Sequence, residues 1–193
     1  QCPARFTAAM NDPLRLPMRQ ANYRGRINRD HSPLLAGGLP WLTIMLGSLA
    51  PVLPVIPAVP VLPPMGFMLM LGWRLVRPGL LPLWAGVPLG LFDDLFSGQP
   101  FGSAILLWSL ALIAIELVEA RFPWRGFVHD WQAAASLIML YITVSAVFSG
   151  GKLAIAPYVL GPQILLSIIC YPIIAQLVAM LDRVRLARIR KID

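Results

Sequence analysis

The stretch LFSGQPFGSAILLWSLALIAI, residues 95–115, holds 21 residues without one Asp, Glu, Lys or Arg. A helix rises about 1.5 Å per residue and the hydrocarbon core of a bilayer is about 30 Å thick, so about 20 apolar residues make one crossing. The apolar residues run on continuously, as in LWSLALIAI, where a membrane strand would alternate apolar and polar positions. A helix also satisfies every backbone group within its own segment, which lipid demands. The stretch therefore reads as a transmembrane helix. The same pattern recurs over 31–73, 78–92, 131–151 and 153–181, all uncharged. Of 193 residues, 58% are hydrophobic and 13% charged, against about half and about a quarter in a soluble domain. The fold class is an all-α integral membrane protein, a bundle of about six transmembrane helices.

Residues 34–73 are roughly twice one span in length, and their middle, PVLPVIPAVPVLPP, has Pro at 51, 54, 57, 60, 63 and 64. Proline removes a helical donor and clashes with the preceding turn, so a run at period three takes an extended path. Spans are expected over about 34–50, 61–75, 79–96, 101–118, 131–149 and 158–181, with one long broken helix as the alternative for the first two. Gly150-Gly151-Lys152 separates the last two, and Pro123 and Gly126 mark the turn between the fourth and fifth. The organisation is a basic tail over 1–31, a membrane domain over 32–181 and a basic tail over 182–193. The first residue is Gln, and Met10 or Met18 would serve as a start. Residues 1–31 lack the apolar run of a signal peptide. Cys2 and Cys170 form no framework and are expected as free thiols.

Lys and Arg near span ends stay cytoplasmic. With the amino tail inside, fifteen of the 16 basic residues fall on inner segments, and only Lys152 does not. This distribution supports six spans independently of hydropathy, with both termini cytoplasmic. The net charge of +7 then follows from polybasic flanks attracted to anionic lipids. Arg183, Arg185, Arg188 and Arg190 are expected to face lipid on an interfacial helix. No aromatic platform accompanies the charge, which argues against nucleic acid. Trp73, Trp124 and Trp131 fit an aromatic belt at the inner boundary.

Within this oily chain, GLFDDLFSGQPFG, residues 90–102, keeps two carboxylates. A buried charge in a bilayer costs about 2.5–3.5 kcal/mol on insertion scales. Helical neighbours differ by about 100°, so one of Asp93 and Asp94 is expected inside the bundle and the other, Asp93, at outer water. For Asp94 the choice lies between a buried polar contact and a solvated helix end. Gly86 and Gly90 have the spacing that lets helices approach closely in lipid. Gly98, Pro100 and Gly102 shape a tight connection into the next span.

In a fixed frame the stretch is Gly90, Asp94, Gly98, Pro100 and Gly102. This pattern, on a small basic chain of six expected spans with an Arg77-Pro78 step before the motif, resembles the bacterial rod shape-determining protein MreD family. The motif covers about 13 residues and the looser span pattern about 34–181. The Arg-rich start, the proline run and Asp93 depart from the family pattern. The resemblance implies a non-enzymatic scaffold of the bacterial inner membrane. Its partners would be an MreC-like protein, a RodA-type glycosyltransferase with its transpeptidase and, indirectly, the MreB filament. It also implies a fold similar to the substrate-binding subunit of ECF-type vitamin transporters. The alternative is a small-solute binding or transport subunit, for which mid-span polar groups are few.

An enzyme is disfavoured. Magnesium needs several converging oxygens, and Glu116 and Glu119 fall on the opposite side of the membrane from Asp94. His31 and His129 sit in no zinc or nucleophile pattern. No metal or cofactor is therefore expected. Glu116 and Glu119 read either as an interfacial pair satisfied by Arg121 and Arg125 or as a cytoplasmic docking point for a basic partner segment.

Overall fold

The computed structural model describes residues 33–52, 62–121, 126–150 and 156–186. The chain divides into units Gln1–Asp30 and His31–Asp193, and every described residue belongs to the second. The expectations for the amino tail, most of the proline run, Trp124, Arg125, Lys152, Arg188 and Arg190 fall outside the described residues.

The described part is all-helical: α1 (Pro33–Ser48), α2 (Met65–Val76), α3 (Gly86–Phe96), α4 (Ser103–Arg121), α5 (Phe127–Phe148) and α6 (Ala156–Leu186). Three of these are long and apolar enough to cross a membrane, namely α4, α5 and the Leu160–Arg185 part of α6. The other three are shorter than the spans expected for them, and for α2 and α3 prolines are the cause. Pro63-Pro64 cannot donate into a preceding turn and delay α2 to Met65, and the Arg77-Pro78-Gly79 turn ends it. A short 3-10 turn at Leu83–Ala85 then holds back α3 until Gly86. At 12 and 11 residues, α2 and α3 reach only about 18 Å, short of a bilayer core. In contrast α6 runs on to Leu186, past the expected tail boundary at 182.

The core lies around α2. Nine of its 12 residues are buried, and it packs against α1, α4, α5 and α6. Phe67 stacks on Tyr141 of α5 with ring centroids 4.3 Å apart and tilts against Trp108 of α4 at 6.0 Å, the offset and tilted geometries that ring quadrupoles favour. Close backbone approach fixes α2 to α1. A Cβ on Gly66 would stand 2.2 Å from Ser48 Oγ, and one on Gly47 would stand 3.1 Å from the Gly66 backbone.

Trp73, expected at the inner boundary, is fully buried, and its Nε1 donates to Thr43 Oγ1 at 2.9 Å. Its position beside Arg74 mimics a belt residue, but the aromatic faces α1. Trp131 is half-buried and donates through Nε1 to the Ile168 carbonyl at 3.3 Å. Ile168 stands four residues before Pro172 inside α6, so proline has removed that carbonyl's helical donor and the indole replaces it.

Candidate functional site

Helices α3 and α4 form an antiparallel hairpin whose seam is lined by Gly86, Gly90 and Asp94, each four residues apart. A Cβ on Gly86 would lie 2.9 Å from Ser109 Cα, and one on Gly90 would lie 2.7 Å from Ile105 Cα and 2.8 Å from the Ala104 carbonyl oxygen. These neighbours are backbone atoms, which cannot swing aside. Only glycine lets the two backbones come this near.

One turn further, the closeness delivers Asp94 to the start of α4. The first N–H groups of a helix have no carbonyl behind them. Here the Asp94 carboxylate accepts from Gly102 N–H at 2.9 Å, Ala104 N–H at 2.9 Å and Ile105 N–H at 3.4 Å, and from the Ser103 hydroxyl at 3.3 Å. Ser103 N–H goes to the Pro100 carbonyl, and Leu106 N–H is the first to reach back into the helix, to Gly102. Every donor at this helix start is thus satisfied without water. The carboxylate also lies where the helix dipole favours negative charge. Gly98 and Gly102 hold φ of +69° and +93°, a region closed to most side chains, and the chain turns between them with Pro100. The five residues that carry the resemblance therefore occupy one corner, and each has a geometric task there.

Asp93 faces the other way, yet it is buried too. Its relative exposure is 7% and that of Asp94 is 6%. The expectation that Asp93 would reach outer water is corrected. The roughly 100° between neighbours does separate them, but bundle flanks both directions. Asp93 accepts from the Tyr141 hydroxyl of α5 at 3.3 Å. The Ser48 hydroxyl of α1 lies beside it without meeting hydrogen-bond geometry. Gln99 ties the turn itself to α5, donating to Ser145 Oγ at 3.4 Å while its own carbonyl oxygen accepts from Ser103 Oγ at 3.4 Å. Asp94 thus ties α3 to the start of α4, and Asp93 ties it to α5.

The far end of α4 carries a second polar cluster. Arg74 of α2, with 4% of its side chain exposed, bonds both Glu116 and Glu119, the latter at 3.0 Å. Arg74 stands 42 residues before Glu116 and 45 before Glu119, a partner that the local spacing did not offer. Nearby, Arg77 reaches Asp182 of α6 at 3.3 Å, and Arg185 lies 3.4 Å from the same carboxylate. Arg183 is exposed, but Arg185, expected at the lipid surface, folds back with 6% of its side chain exposed. Its spacing of three from Asp182 turns it inward.

Chemically the corner binds and fixes. Both oxygens of Asp94 are engaged by donors, leaving it poorly placed as a base or metal ligand. Among the described residues no three His, Cys, Asp or Glu side chains converge as a metal would require. Sequence reasoning found the hairpin glycines and Asp94. It missed Tyr141, Ser145, Gln99 and Arg74, whose partners lie tens of residues away and leave no local spacing to read.

Comparison of the chain with protein-family models, with curated proteins and with solved structures finds no match.

Proposed function

We propose that this chain is a non-enzymatic scaffold of the bacterial inner membrane that acts in cell-wall elongation, with six spans, both termini cytoplasmic and a fold like that of the ECF-type substrate-binding subunit. Its partners on this reading are an MreC-like protein and the RodA-type glycosyltransferase with its transpeptidase, with the MreB filament reached indirectly. The observation that supports it is the coincidence of Gly90, Asp94, Gly98, Pro100 and Gly102, the residues of the resemblance, in one corner where each has a separate geometric task. A chain that needed only to cross the membrane would not need so exact a turn. Beside it, Leu95 and Phe101 are 63% and 72% exposed, an apolar rim that a partner helix can cover.

The test is co-purification from membranes with MreC-like and RodA-type proteins. The unaltered chain should retain them, and Gly90→Leu and Asp94→Leu should lose them while the chain still inserts. Retention unchanged by both substitutions, or no such partner on the unaltered chain, would sink the proposal.

A further inference from the structure

We propose that the outward face of α5 is an interface at which two copies of this chain pair in the membrane, side by side and in the same orientation. The proposal rests on the membrane placement of α5 and not on the scaffold reading.

Helix α5 is long and apolar enough to cross a membrane. Its 22 residues rise about 33 Å, against a hydrocarbon core of about 30 Å. The side turned to the bundle carries Ala134, Ile138, Tyr141, Ile142 and Ser145, all buried. The opposite side carries Gln132, Ser136, Met139 and Thr143, all exposed. Three of these four are polar, and about 16 Å of helix separates the first from the last. A face that met only acyl chains would have no use for them. Helix α4 shows such a face: ahead of Glu116 its exposed positions are Leu106, Leu110 and Ile113. The contrast is sharpest at Gln132. Its backbone carbonyl accepts from the Ser136 hydroxyl at 2.6 Å, but its side-chain amide has no hydrogen-bond partner among the described residues. An amide turned to hydrocarbon without a partner is costly.

The spacing narrows the occupant. Positions 132, 136, 139 and 143 advance by four, three and four, the repeat of a left-handed coiled-coil seam and the handedness most membrane helix pairs adopt. Short side chains at Ser136 and Thr143 let a second backbone come near. The polar groups of this seam are uncharged, and each one can pair with its own kind. The Gln132 amide brings two donors and one acceptor. The hydroxyls of Ser136 and Thr143 donate to carbonyls of their own helix and keep a lone pair free to accept. A two-fold axis along the membrane normal sets every seam residue opposite its own copy. Two Gln132 amides then close a reciprocal pair. No charge on the seam calls for an opposite charge on a different protein.

The full chain with Cys170→Ser, labelled at Cys2 with donor or acceptor dye, is reconstituted in phosphatidylcholine vesicles, and energy transfer is followed against the protein-to-lipid ratio. Transfer should saturate as for a dimer. Gln132→Leu should raise the dissociation constant about 5-fold, the factor for one interhelical hydrogen bond in lipid. Ser136→Ile, which crowds the seam, should raise it about 10-fold. Both positions face away from the bundle, so the fold is left as it is. Leu110→Ala, on the outward face of α4, should change nothing. In a chain with Cys2 and Cys170 replaced by Ser, oxidation should link copies through Ser136→Cys, Met139→Cys and Thr143→Cys, and not through Leu137→Cys beside the seam. Transfer that only tracks random crowding, or a dimer indifferent to both Gln132→Leu and Ser136→Ile, would overturn the proposal. So would links through Leu137→Cys as strong as those on the seam. A chain that is monomeric in vesicles but links through Ser136→Cys to a different protein in native membranes would overturn it too, and would assign the face to a partner helix.

Discussion

Gly90→Ala is the sharpest test of the α3–α4 corner, because two effects of opposite sign meet there. In an open helix, replacing Gly by Ala gains about 1 kcal/mol from backbone entropy. At Gly90 the new methyl would stand 2.7 Å from Ile105 Cα and 2.8 Å from both the Ala104 carbonyl oxygen and Ile105 N. Carbon contacts settle near 3.5–4.0 Å, so the helices must part by about 1 Å. Overpacking of this kind costs about 1–3 kcal/mol. The same movement draws Asp94 off Gly102 N–H and Ala104 N–H, both now at 2.9 Å, and a hydrogen bond to a charged group contributes about 1.5–3 kcal/mol. The net expectation is a loss of about 2–4 kcal/mol despite the better helix former.

The assay is reversible unfolding in mixed micelles, followed by circular dichroism against the mole fraction of denaturing detergent. Asp94→Asn keeps the shape but turns an N–H₂ toward backbone donors, and should cost about 2 kcal/mol by itself. In the Gly90→Ala background its cost should shrink, giving a coupling of about 1–2 kcal/mol, as expected for groups that share one contact. Gly161→Ala in α6, where an added Cβ meets nothing within 4 Å, is the control and should be neutral or slightly stabilising. If Gly90→Ala behaves like Gly161→Ala, or if the costs of Gly90→Ala and Asp94→Asn simply add, the close approach does not hold the cap in place and the account of the corner fails.

Three further outcomes are expected. Gly66→Ala drives a methyl to 2.2 Å from Ser48 Oγ and 3.1 Å from its backbone nitrogen, so α1 and α2 should separate, with a loss of about 1–3 kcal/mol in the same unfolding assay. Trp131→Phe leaves the Ile168 carbonyl, already without its helical donor, unpaired, and should cost about 1–3 kcal/mol; restoring the donor with Pro172→Ala should recover much of that loss. Phe101→Cys, at a position 72% exposed, in a chain with Cys2 and Cys170 replaced by Ser, should react with an impermeant maleimide added outside intact cells. Reaction only after permeabilisation would invert the orientation inferred from the arginines.

The helical class was legible because hydropathy over 20 residues is a strong signal, and the hairpin corner was legible because its parts lie within 13 consecutive residues. What sequence could not separate was inside from outside. In a soluble chain an apolar stripe marks the core, but in lipid both faces are apolar. Nothing in MGFMLMLGWRLV, residues 65–76, tells that α2 is the centre of the bundle while the equally apolar α5 shows much of its surface. The polar partners failed for a related reason. Tyr141 is 48 residues from Asp93, and Glu116 is 42 from Arg74. Short-range rules instead paired Glu116 with Arg121 and assigned Trp73 to a boundary belt.

On the reading that the long apolar helices lie in a bilayer, lipid also accounts for where the few charges stand. Apolar contact offers little net drive between helices already surrounded by acyl chains, so packing and polar contacts set the arrangement. Helix α4 is held at both ends by such contacts, Asp94 at its start and Arg74 to Glu116 and Glu119 near its finish. Between Ser103 and Glu116 the helix rises about 20 Å, and no hydrogen bond or ion pair seen among the described residues joins the two clusters. Sites this far apart add within about 0.5 kcal/mol. Asp94→Asn combined with Glu116→Gln should therefore show the sum of the two single losses, in contrast to the coupling expected between Gly90→Ala and Asp94→Asn. A clear departure from additivity would mean that α4 transmits a change from one face of the membrane to the other, and the picture of two independent anchors on one helix would have to be given up.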